Sequence, residues 1–189
     1  MKGMKRALEF TEVIPSKEES IEHHEFSDVV ALISKDFGVK NVIDFGCGDG
    51  RLCKTFSKEG YLGVDIDEKI INAAKSRFSD YVFTTPTNTI YTTEMFMACR
   101  VLSDLSEEKI HEIMKNVRCK WLLVIEPLGE AKLDGNVYSF FNRDLENYQR
   151  IMRAHDLLLF QHKTKLIGKN SSQDVSFLLF KRCGRNPNL

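Results

Sequence analysis

Blocks of apolar residues alternate with polar stretches in a way that predicts strands interleaved with helices. Ile21, Val29, Leu32, Ile33 and Phe37 recur at roughly helical spacing, opened by Ser16 with Glu19 three residues on and stopped at Gly38. Residues 39–45 form a short apolar run broken by Gly46-Cys47-Gly48-Asp49-Gly50, and residues 51–59 read as a helix closed by Gly60. A second strand covers 61–66. A second helix follows over 67–78, N-capped by Asp67, with Ile70, Ile71, Ala74 and Phe78 on its inner face. A weaker strand at 81–84 precedes the polar loop around Pro86; a fourth strand covers 94–98, and Ser106 caps a helix running to about 117. Residues 121–125 are continuously apolar, the mark of a central strand buried on both faces. A loop over 127–137 leads to a helix near 143–154, and strands at 157–163 and 175–181 close the chain with no helix between them.

Strands alternating with helices predict a parallel sheet covered on both faces. The expected fold class is α/β: a three-layer α/β/α sandwich around a seven-stranded, mostly parallel sheet, with an antiparallel C-terminal hairpin strand at its edge. No repeat or low-complexity tract divides the chain. The predicted organisation is an N-terminal helical segment, 1–38, and a core, 39–189, within one domain.

Composition narrows the class. The chain has 189 residues, 42% hydrophobic and 29% charged, as in ordinary globular domains rather than disordered or fibrous ones. Lys plus Arg number 27 and Asp plus Glu number 27, so the formal net charge is zero. Bulk attraction to phosphate needs a basic excess, so the balance speaks against a nucleic-acid partner. Cys47, Cys53, Cys99, Cys119 and Cys183 are odd in number and contain no CxxC pair, which argues against zinc and disulfide frameworks. The basic start is not followed by an apolar core of a signal peptide, and no run approaches the ~18 apolar residues of a membrane span. The expectation is a cytoplasmic protein with reduced thiols, no metal site and no membrane partner.

The chemically informative stretch is Val42-Ile43-Asp44-Phe45-Gly46-Cys47-Gly48-Asp49-Gly50-Arg51, a strand feeding a glycine-rich turn. Glycines let backbone approach a ligand where a Cβ would collide, and a helix start after them offers free N–H groups. A second strand ends at Asp65, about 20 residues on, where a carboxylate can accept bonds from both hydroxyls of an adenosine ribose. The dinucleotide pattern G-x-G-x-x-G would need a glycine at position 51, which is Arg51, so a nicotinamide enzyme fits poorly.

The D-x-G-x-G-x-G pattern from Asp44 to Gly50 resembles motif I of the class I (Rossmann-like) S-adenosylmethionine-dependent methyltransferases. Gly63-Val64-Asp65-Ile66-Asp67 resembles that family's second motif. Cys99-Arg100-Val101-Leu102-Ser103-Asp104-Leu105 is similar to its segment after strand four, residues 121–127 to its fifth strand, and 142–157 to the helix before strand six. The resemblance spans roughly residues 39–182.

It implies S-adenosylmethionine as cofactor and S-adenosylhomocysteine as product. Gly46, Cys47 and Gly48 would line the methionine end, Asp44 would sit near its amino group, and Asp65 would hold the ribose. Ile66 would pack on the adenine, and Cys99 and Arg100 would border cofactor and acceptor. The N-terminal segment 1–38 would cap the cofactor site. For catalysis the candidates are Glu126 at the end of strand five, His24 beside His23 on the N-terminal helix, and Arg100. Arg143 and Tyr148 either contact substrate or belong to a solvated helix with one packed aromatic. Three features depart from the family: strand three ends in Thr84-Thr85-Pro86, with Asn88 nearby but no acid or amide at its end, His155 stands where the family commonly has glycine, and no D/N-P-P-Y/F tetrad follows strand four. The last argues against a DNA-adenine or glutamine acceptor. With few residues outside the core, the expected acceptor is a small molecule. RNA or a protein or peptide group is the alternative, as is a silent cofactor-binding scaffold.

Overall fold

The computed structural model describes residues 17–129, 132–133, 136–137, 141–166 and 174–183, with side chains described over 26–129, 141–164 and 175–183. Seven strands form one sheet: β1 (Val42–Phe45), β2 (Tyr61–Val64), β3 (Val82–Thr84), β4 (Tyr91–Cys99), β5 (Val117–Pro127), β6 (Leu157–Leu166) and β7 (Asp174–Arg182). Their order is β3-β2-β1-β4-β5-β7-β6. Pairings within β1–β5 are all parallel, whereas β7 runs antiparallel to both β5 and β6. The antiparallel strand is therefore one place in from the edge, and the edge strand β6 points the same way as β1–β5. Burial explains the placement. Residues Val175 to Phe180 of β7 are covered on both faces and need neighbours on both sides, whereas β6 exposes Leu158 and Phe160.

Helices α1 (Lys17–Asp36) and α2 (Glu68–Arg77) cover one face, and α3 (Glu107–Lys115) and α4 (Leu145–Arg153) the other. Phe26 and Val30 of α1 and Ile71 of α2 join Met95, Met97, Leu123 and Phe177 of the sheet. Opposite them, Ile110, Met114, Tyr148 and Ile151 pack on Phe96, Leu122, Val124 and Leu178. The alternation of these two sets along β4 and β5 is the period-2 signature of a sheet covered on both sides. Asp67, Ser106 and Asp144 act as N-caps, each side chain accepting from backbone N–H groups in the first turn of its helix. Ser16, the expected cap of α1, lies outside the described residues.

One predicted helix is absent. Residues 51–59 instead form two short 3₁₀ turns, Cys53–Thr55 and Lys58–Gly60. Between them Phe56 takes extended backbone (φ −120°, ψ 162°), which brings its ring against Tyr61 with centroids 6.0 Å apart. Burying Leu52, Cys53 and Phe56 in so short a connection outweighs helical propensity. The central strands are also longer than the apolar runs that announced them. β4 begins at Tyr91, inside the expected polar loop, because Tyr91 pairs with Val117. The 127–137 loop contains a two-residue ribbon, Lys132–Leu133 with Asn136–Val137.

The connections of β1 lead one way across the sheet to β2 and β3, and β4 lies on its other side. Such a reversal of strand order leaves a crevice beyond the carboxyl ends of the flanking strands, the usual ligand position in open α/β sheets.

Candidate active site

At the end of β1 the chain folds back over β2: Gly46 N and Cys47 N both donate to the Val64 carbonyl, at 2.7 and 3.1 Å. Gly46 has φ +74°, and a Cβ there would run into the side chain of Val101, from the turn after β4. Gly48 has φ +54° and faces open space, with nothing within 4 Å of where a Cβ would stand. The loop is thus glycine for two reasons. Gly46 lets a side chain press against backbone, and Gly48 presents bare backbone to the crevice.

Gly48 N donates to Asp65 Oδ2 at 2.9 Å, and Asp67 N donates to Asp65 Oδ1 at 3.0 Å. The carboxylate at the tip of β2 therefore pins the glycine loop and still has lone pairs to spare, since a carboxylate accepts at about four sites. Beside it Ile66 is 84% exposed, an apolar side chain held out at the mouth of the crevice.

Asp44 lies at the foot of the loop and is 1% exposed. Its Oδ2 accepts from the Tyr61 hydroxyl at 2.8 Å, while Oδ1 is buried with no partner among the described residues. Burial pushes its carboxyl up from 3.8 to about 7; the Tyr61 bond opposes that rise and the charge of Asp65 adds to it. Tyr61 is diagonal to Asp44 across the β1–β2 ladder, and the residue directly opposite Asp44 is Gly63, which has no side chain to intervene. Burial first, then the charges of Asp44 and Asp65, hold the Cys47 thiol far above the ordinary thiol range. That keeps Cys47 in its thiol form, whereas the thiolate is the reactive one.

The third wall is the turn after β4. Arg100 takes a left-handed conformation (φ +56°) and its N–H donates to the Ile125 carbonyl at 2.9 Å. A 3₁₀ turn, Leu102–Asp104, follows. Glu126, 0% exposed, accepts through Oε1 from the backbone N–H groups of Val101 (2.8 Å), Leu102 (2.7 Å) and Ser103 (3.3 Å). Burial raises its carboxyl to about 7 against the pull of these bonds.

The crevice brings together Asp44 and Gly46–Gly48 from β1, Asp65 and Ile66 from β2, and Cys99 and Arg100 from β4, with Phe45 beside Ala98 in register. Glu126 stands apart: its carboxyl is sealed beneath the 101–105 turn. His24 falls on α1 where side chains lie outside the described residues. Arg143 is not on a solvated helix face. It is 6% exposed and precedes α4, donating to the carbonyls of Leu102 (2.8 Å) and Leu105 (2.6 Å). Tyr148 is fully buried. Sequence reasoning missed Tyr61 and Val101 as parts of the site; the one available signal was a tyrosine opening β2 two residues before a glycine. His111 and His155 meet across α3 and the end of α4, Nδ1 to Nε2 at 2.8 Å. Among the described residues no cluster suited to a metal ion occurs, and no helix is long and apolar enough to cross a membrane.

No family model matches the chain, and no curated protein matches it. Solved structures do. Magnesium protoporphyrin IX methyltransferase from Synechocystis, with S-adenosylhomocysteine bound, superposes with a TM-score of 0.71 at 15% identity, covering 96% of this chain and 95% of that one. The methyltransferase domain of a bacterial Hen1 gives 0.66 at 17% identity over 85% of this chain and 99% of that one. Mitomycin 7-O-methyltransferase gives 0.61 at 16% identity over 83% of this chain and 53% of that one. The chain has the α/β fold that these methyltransferases share.

Proposed function

We propose that the chain is an S-adenosylmethionine-dependent methyltransferase that moves a methyl group to a small-molecule acceptor and releases S-adenosylhomocysteine. The observation that carries this reading is the buried Oδ1 of Asp44 at the foot of a glycine loop, which has no partner among the described residues. Buried polar atoms are nearly always paired, and the partner that satisfies a buried anion is a cation such as an amino-acid ammonium group. The rest of the crevice fits the same cofactor. Gly46, Cys47 and Gly48 offer backbone to its methionine end, Asp65 has acceptor sites for a ribose, Ile66 offers an apolar face for adenine, and Cys99 borders the far side.

When bound, the cofactor supplies an electrophilic methyl on a sulfonium. The chain's own residues bind and orient: Asp44 and Asp65 fix the two polar ends, and the glycine loop with the 101–105 turn excludes water between them. Glu126 is sealed beneath the 101–105 turn, away from an acceptor, and Arg100 stands at the rim. Three further points belong to the same reading: segment 1–38 caps the site of the core, 39–189, the protein acts in the cytoplasm, and the acceptor is small. Neutral net charge supports the last, as do neighbours that act on magnesium protoporphyrin IX and mitomycin.

Titration calorimetry with S-adenosylhomocysteine tests the reading. The folded wild type is expected to bind, and Asp65→Ala to bind weaker by about 2–3 kcal/mol, or about 30- to 150-fold. A wild type that does not bind, or an Asp65→Ala variant that binds equally well, rejects it. A radiolabelled methyl-transfer screen over small-molecule, protein and RNA fractions then identifies the acceptor.

A further inference from the structure

We infer that Glu126 and Arg143 are positioning residues that set the acceptor-side wall of the cleft and, through Val101, the geometry of the glycine loop. The inference rests on the cofactor reading above. The 101–105 turn leaves backbone groups that neither β4 nor α3 satisfies, and two buried side chains from elsewhere take them up. One oxygen of Glu126, on β5, accepts the N–H groups of Val101, Leu102 and Ser103. The two terminal nitrogens of Arg143, just ahead of α4, donate to the carbonyls of Leu102 and Leu105. Phe141 N adds a bond to the Ser103 carbonyl at 3.0 Å.

Burying a carboxylate and a guanidinium is expensive, and water could satisfy a surface turn without either. What the pair adds is a fixed position. The turn starts at Arg100, whose left-handed backbone is tied to Ile125 on the same strand as Glu126. Its first held residue, Val101, fills the space left by the missing Cβ of Gly46, with Val101 Cγ2 standing where such a Cβ would be. A turn displaced from Glu126 therefore moves both the rim residues Cys99 and Arg100 and the surface against which Gly46 rests. Neither Glu126 nor Arg143 is exposed to the crevice, so both act through the turn.

Amide hydrogen exchange and S-adenosylhomocysteine calorimetry on four proteins test this: wild type, Glu126→Gln, Glu126→Leu and Arg143→Gln. Gln keeps an oxygen for the three N–H groups and Leu has none. Glu126→Leu is expected to exchange the 101–103 amides roughly tenfold faster and to bind roughly tenfold weaker, with Glu126→Gln within about threefold of wild type on both. Exchange in the centre of β4 should not change, which separates a local release from general destabilisation. Arg143→Gln should release the same turn from its other side, and it carries the test if Glu126→Leu does not fold. Variants that bind and exchange like a binding wild type overturn the inference alone. A wild type that does not bind brings down the cofactor reading, and the inference with it.

Discussion

Asp44→Asn separates what the buried carboxylate does for binding from what it costs the fold. The carboxyl titrates at about 7 in the folded chain against 3.8 ordinarily. At about 1.4 kcal/mol per pH unit, that difference makes the ionised form up to about 4 kcal/mol less favourable in the folded chain than in the unfolded one. Between pH 3.8 and about 7 the folded chain keeps a proton that the unfolded chain has released. The Asp44 contribution to stability is therefore fully present at low pH and is lost as pH rises through about 7. Asparagine carries no charge and keeps an oxygen for the Tyr61 hydroxyl, but its amide nitrogen lacks an acceptor, at about 1–3 kcal/mol. The net expectation at pH ~8.5 is a variant more stable than wild type by about 1–3 kcal/mol, an advantage that disappears by pH ~4.5. Binding should move the opposite way: at pH ~8.5 the variant loses about 2–3 kcal/mol of S-adenosylhomocysteine affinity. Wild-type affinity should also fall below pH ~7, by at most about tenfold per unit, as the carboxyl takes up its proton, while the variant stays flat. Urea unfolding at both pH values, with calorimetry across the range, reads all of this. An Asp44→Asn protein that is less stable than wild type at pH ~8.5 and binds the ligand equally would refute the reasoning.

Two further predictions probe the same crevice. Gly46→Ala forces a side chain into Val101 as well as straining a left-handed backbone, so it should destabilise by about 3 kcal/mol or more and abolish binding. Gly48→Ala meets only the backbone strain, about 1–2 kcal/mol, and should remain folded while losing ligand affinity; equal urea midpoints for the two variants would contradict this. Tyr61→Phe removes the bond that holds the Asp44 carboxyl down, so the pH below which S-adenosylhomocysteine binding weakens should move above that of the wild type. A threshold that stays put or falls would count against Asp44 as the titrating group.

Strand-and-turn chemistry made much of the molecule legible from residues alone. Continuous apolar runs announced the central strands. Asp67 and Ser106 marked where helices begin, and the spacing from Asp44 through Gly50 to Asp65 marked the glycine loop and the acid that pins it. These are local rules, carried by a residue and its near neighbours. The features that misled were set by contacts distant in sequence. Residues 51–59 have helical propensity but bury Leu52, Cys53 and Phe56 better as two 3₁₀ turns. The last strand enters between β5 and β6 because both of its faces are apolar and need covering. Glu126 and Arg143 looked like candidates for contact with substrate, and the fold instead turned them inward beneath the 101–105 turn. The buried Asp44 oxygen with no partner among the described residues was equally hidden. Sequence by itself marked the glycine loop, the acid after β2 and the helix caps, since turn and cap chemistry is written within a few positions. Only the tertiary structure decided their charge states and accessibility, because burial and hydrogen bonding are settled by strands and helices that meet from far apart along the chain.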